Sequence, residues 1–90
     1  MTRLFTLGRC LATPGAMALL DDHHVSVLDL LARHVHGDWG DLDAEDIAAN
    51  NAAVASGERI LSAYQLARGR VWIITEWDRS ATTLLLPEEY

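Results

Sequence analysis

Apolar positions along the chain change period near residue 59. Before that point, apolar and alanine residues recur at helical spacing behind repeated start signals. Thr13 followed by Pro14 is a cap and first-turn pair that opens a short helix through Ala16 to Leu20. Ser26 is a second cap, with Asp29 in the first turn and Val25 and Leu30 as a hydrophobic staple; this helix reaches His34 or Val35 and stops at Gly37. Asp43 opens the third, with Asp46 in its first turn and Leu42 and Ile47 as staple, and Gly57 supplies a left-handed exit after Ser56. From residue 59 the period is two, and RILSAYQL, RVWIITE and ATTLLL read as strands. Ala67-Arg68-Gly69 and Trp77-Asp78-Arg79-Ser80 join them, loops short enough to predict an antiparallel meander. RLFTL at residues 3–7 is a candidate fourth strand. Helices segregated from strands predict one α+β domain spanning residues 1–90, its N-terminal helices packed on a small antiparallel sheet from the C-terminal half.

Alternation assigns the faces of the middle strand. Val71, Ile73 and Thr75 form the better core face, and Arg70, Trp72, Ile74 and Glu76 share the other. Trp72 and Ile74 make that second face too apolar to stand alone in water, which predicts an internal cover, such as the N-terminal segment, or a homodimer through the sheet.

Composition narrows the function classes. The 90 residues carry a net charge of −6, so non-specific attraction to nucleic acid or to anionic membranes is not expected. The charge is uneven: nine acids and one base lie in residues 21–58, and four arginines against two acids lie in residues 59–80. Cys10 is the single cysteine, the apolar runs are too short to span a membrane, and MTRLFTLGRC lacks the apolar stretch of a secretory signal; a cytoplasmic setting is expected.

Four histidines raise the question of a metal. His34 and His36 are two apart, which does not bring side chains together on a helix, and no metal or other cofactor is expected. His34 also belongs to the apolar stripe of Val27, Leu30, Leu31 and Val35, where it reads as a core-edge histidine with one satisfied nitrogen. In HGDWG, two glycines hold Trp39 in one direction, either as a plug for the end of the core or as a contact anchor. The acidic DLDAED behind it is a capped helix start that also suits a basic partner. The strands bring a polar set of another kind: His34, His36, Arg59, Tyr64 and Thr75 in one shallow cleft would suit the acid, base and phosphate-stabilising roles of a metal-independent ribonuclease.

HGDWG, LSAY and the terminal WIITEWDRSATTLLLPEEY resemble a family of short bacterial proteins carried on plasmids, integrative elements and phages. Members are often labelled plasmid-related protein and sometimes type I restriction enzyme subunit. The likeness covers residues 34–90, and Asp38, Trp39, Asp46, Asn50, Arg59, Tyr64, Trp72, Thr75, Glu76, Asp78, Arg79, Ser80, Thr82 and Thr83 stand where the pattern has them. Trp77 occupies a place where small residues are usual. A restriction modification subunit needs a glycine-rich cofactor domain, for which this chain is too short. The resemblance implies a mobile-element protein. Acidity, small size, Trp39 and the apolar second face together predict an accessory module that binds a protein partner, antagonising or regulating a host defence system. Asp38, Trp39, Trp72, Glu76, Asp78 and Arg79 are its candidate contact residues.

Overall fold

The computed structural model describes residues 2–90. Its elements are β1 (Arg9–Ala12), α1 (Pro14–Asp22), α2 (Val27–Val35), α3 (Ala44–Ser56), β2 (Ile60–Leu66), β3 (Gly69–Thr75) and β4 (Ala81–Leu85), followed by a 3-10 turn over Pro87–Glu89. The local signals act where they were read. Thr13 Oγ1 accepts from the Ala16 N–H, the Ser26 side chain from Leu28 and the Asp43 carboxylate from Asp46; Gly57 exits α3 at φ +77°.

The fold is α+β, but the sheet is not the all-antiparallel meander expected. Its order is β1-β4-β3-β2: β2, β3 and β4 form the meander, and β1, which precedes all three helices, lies parallel to β4. The strand expected at residues 3–7 is displaced to Arg9–Ala12. Residues 4–7 form a strap instead: the Leu4 N–H donates to the Val35 carbonyl at 2.9 Å, and Phe5 is buried. Gly8 then turns the chain onto β4 at φ +64°, where a Cβ would lie 2.4 Å from the carbonyl oxygens of Arg79 and Ser80. Only glycine admits that approach.

The inner face of the sheet carries the main core, with Tyr64, Val71, Ile73 and Leu84 packed against Ala16, Leu20, Leu30 and Leu31. Phe5, Val35, Trp39, Ala53 and Ile60 form a second cluster, so Trp39 does plug the end of the core. On the outer face, Ile74 and Leu85 are already buried within the chain and Trp72 is half-buried. Part of the cover comes from Tyr90, whose ring meets Trp72 edge-on at 5.8 Å, rather than from the N-terminal segment.

The β2 edge is closed residue by residue. Asn50 offers its amide to both backbone groups of Leu61, donating to the carbonyl at 2.6 Å and accepting from the N–H at 3.2 Å. Residues 39–41 run alongside, with the Ala63 N–H on the Trp39 carbonyl and the Asp41 N–H on the Ala63 carbonyl. The Asp41 carboxylate takes the Gln65 N–H at 2.8 Å. A strand edge left open invites foreign pairing, and here helix and loop fill it. Asn50→Ala strands both Leu61 groups, and an expected loss of about 2 kcal/mol is readable from a denaturant midpoint.

Candidate functional site

His34 lies in the core, and both of its ring nitrogens are used. Nδ1 is 2.6 Å from Ser62 Oγ, and Nε2 is 2.8 Å from Thr75 Oγ1. Thr75 continues to Thr82 Oγ1 at 2.7 Å, and Thr82 donates to the Leu7 carbonyl at 2.7 Å. Each hydroxyl has one proton, so the chain has a direction. Thr82 spends its proton on Leu7, Thr75 donates to Thr82, His34 donates Nε2–H to Thr75, and the bare Nδ1 accepts from Ser62. This requires the neutral ring, and burial pushes the His34 pKa down to about 4. Ser62 on Nδ1 is the pairing of a nucleophile with a base. Yet His34, Ser62, Thr75 and Thr82 are all 0% exposed, so no substrate reaches them. The cluster braces α2, the sheet and the strap.

The five residues read as a ribonuclease set are not brought into one cleft. His34, Tyr64 and Thr75 are buried, and burial pushes the Tyr64 phenol up to about 12 while its hydroxyl donates to the Asp38 carbonyl. His36 sits outside, its Nδ1–H on the Ala32 carbonyl at 2.7 Å, beside a shallow depression lined by Ala32, Arg33 and Asp38. Arg59 is on the far side of the sheet, donating to the Tyr90 hydroxyl and stacked over its ring at 5.4 Å.

The residues read as contacts divide as well. Asp38 forms a two-pronged pair with Arg33, at 2.7 and 3.2 Å, and that guanidinium holds its carboxyl below the usual range. Trp39 is 4% exposed, its Nε1–H on Asn51. Arg79 is a brace: at φ +61° its guanidinium donates to the carbonyls of Glu58, Glu76 and Ala53 and lies over Phe5. Glu76 thus serves through its backbone, and Asp78 caps the turn by accepting the Ser80 N–H at 3.1 Å. Asp38 borders the shallow depression beside His36, and Trp72 faces a second depression on the outer face of the sheet.

That depression is a groove of about 580 Å³ on the outer face of the sheet, beside α3. Leu61, Ala63 and Trp72 line it, with Asp41, Leu42, Asp43 and Asp46 from the approach and first turn of α3, with Arg59 just before β2 and with Arg70 near the start of β3. Its charges are not paired with one another: the one ion pair among the described residues is Arg33 with Asp38. Asp41 and Asp43 have backbone N–H partners, Arg70 donates to the neutral Gln65 side chain, and Arg59 rests on Tyr90. The groove presents an apolar strip with an indole, an acidic bank and two arginines. Among the described residues, no histidine, serine or cysteine lines it. Its lining joins apolar contact area to carboxylate acceptors and guanidinium donors. Asp41, Asp43 and Asp46 join the groove through long-range pairing of residues 39–41 with β2, and Arg70 through the pairing of β3 with β2, while their local pattern signals only a helix start and a strand start. Compared with known proteins, the chain matches no family model, no curated protein and no solved structure.

Proposed function

We propose that this chain is a small acidic accessory module that works by binding another protein through the groove between α3 and the outer face of the sheet. The observation that carries the reading is the half-buried Trp72 flanked by acids and arginines that do not neutralise each other. A partly exposed indole in an apolar strip with a polar rim is the usual anatomy of a contact anchor. The opposed charges select a partner by complementarity and speed its approach more than they tighten the complex. The likeness of residues 34–90 to plasmid-related proteins supplies a setting, a mobile element whose product antagonises or regulates a host defence protein.

The test is a photo-crosslinking amino acid placed at Leu61, in the groove, and separately at Leu28, which is 74% exposed on α2. In cells producing the protein, discrete protein adducts are expected from residue 61 and not from residue 28. Adducts of equal pattern and yield from both positions would refute the groove as the contact surface.

A further inference from the structure

The two edges of the sheet are treated differently. Both outward-facing backbone groups of Leu61 and of Ala63, and the Gln65 N–H, meet Asn50 or residues 39–41. Among the described residues none covers the β1 edge in this way, and all four residues of β1 are exposed. The Arg9 and Thr13 N–H groups point inward, to the carbonyls of Ser80 and Leu84. Backbone direction alternates along a strand, so the N–H and C=O of Cys10 and Ala12 point outward.

We propose that a second copy of this chain pairs with that edge, β1 antiparallel to β1, about a two-fold axis at Leu11, to give a continuous eight-stranded sheet. The register follows from the outward groups. With Cys10 opposite the partner's Ala12 and Ala12 opposite the partner's Cys10, all four groups on each copy are used in four hydrogen bonds. Leu11, 43% exposed, then meets its own counterpart as a close non-hydrogen-bonded pair. Arg9 comes opposite the partner's Thr13, and Thr13 Oγ1 donates to the Glu89 carboxylate at 2.7 Å. Thus each copy places a guanidinium beside the other's Glu89. Neither group has an ion-pair partner among the described residues of its own chain. The edge is self-complementary in hydrogen bonding and charge, as a two-fold interface requires.

The register makes the test specific. Sedimentation at high micromolar concentration is expected to show a dimer for the wild type. Ala12→Pro removes an N–H that has no use within one chain and is expected to give a folded monomer. Arg9→Glu is expected to weaken the dimer about tenfold, and adding Glu89→Arg to restore it. Under mild oxidation, Leu11→Cys in a Cys10→Ala background is expected to crosslink rapidly. Wild-type Cys10 is not, because its counterpart lies diagonally, beyond the ~7 Å a disulfide spans. A wild type that stays monomeric overturns the proposal, as does a folded Ala12→Pro variant that still dimerises. If that variant unfolds, crosslinking decides: failure at residue 11, or faster crosslinking through Cys10, overturns it equally.

Discussion

Between pH 6.5 and about pH 4 the folded chain is expected to lose about 3 kcal/mol of stability through His34 alone. The folded pKa of this ring lies below its unfolded value, so through that window the unfolded chain binds a proton that the native chain does not. Stability is therefore full above the unfolded value, falls as pH drops through the window, and levels off below the folded one. The cause is specific. A protonated His34 must donate from both nitrogens, but Nδ1 faces a Ser62 hydroxyl whose own proton already points at it. His34 is fully buried against the rings of Phe5 and Trp39, at 5.2 and 5.9 Å, so the charge would be held away from bulk solvent. Asp38, held low by Arg33, works in the same direction but withdraws its contribution below the ordinary value of 3.8. Urea midpoints at pH 7 and pH 4.5 measure the effect. His34→Gln, which can still accept from Ser62 and donate to Thr75, is expected to flatten the profile. An unchanged midpoint in the wild type would remove the directed hydrogen-bond chain.

Gly40→Ala is expected to destabilise the fold by about 3–5 kcal/mol. Gly40 has φ +75°, and a Cβ on it would lie 2.0 Å from the Ala63 carbonyl oxygen and 2.7 Å from Tyr64 Cδ1. Both obstacles belong to a central stretch of β2, so residues 39–41 would have to leave the strand. The hydrogen bonds of Ala63 to Trp39 and of Asp41 to Ala63 would go with them. So would the position of Asp41 on the groove. Gly57→Ala separates strain from collision: its φ is +77°, but nothing lies within 4 Å of a Cβ there. That variant is expected to cost about 1 kcal/mol, readable in the same unfolding experiment. Equal losses at the two positions would mean that strand pairing through Gly40 contributes nothing.

What was legible in the sequence is what local chemistry decides. Thr13, Ser26 and Asp43 cap helices because a side-chain oxygen one residue before a helix has backbone donors at hand whatever the rest of the chain does. Alternation in RVWIITE put Val71, Ile73 and Thr75 on the core side, and they are buried there. Arg9–Ala12 was not legible, because RCLA has no alternating pattern and becomes a strand only by lying against β4, some 70 residues later. RLFTL is richer in strand-forming residues, but Phe5 is drawn into the cluster of Val35 and Trp39 instead of a ladder. At the candidate site, Trp72 stood out as an apolar residue on the wrong face. The acids beside it did not, since Asp43 and Asp46 have a sufficient local reason in starting α3 and reach the groove only through the pairing of Gly40 with Ala63. His34 was legible as a core-edge residue with one nitrogen satisfied. Its second bond, to Thr75, depends on a strand 41 positions away.

The groove is tested most directly by the yield of the residue 61 photo-adduct when its acidic bank is neutralised. Asp43 and Asp46 are exposed, and Asp43→Asn combined with Asp46→Lys keeps a capping oxygen at the start of α3 while cancelling the net negative charge of the Asp41, Asp43 and Asp46 bank that a partner would meet. With the circular dichroism spectrum and denaturant midpoint near those of the parent, the adduct is expected to fall about tenfold or more. An adduct of undiminished yield on the folded double variant would contradict binding through this groove.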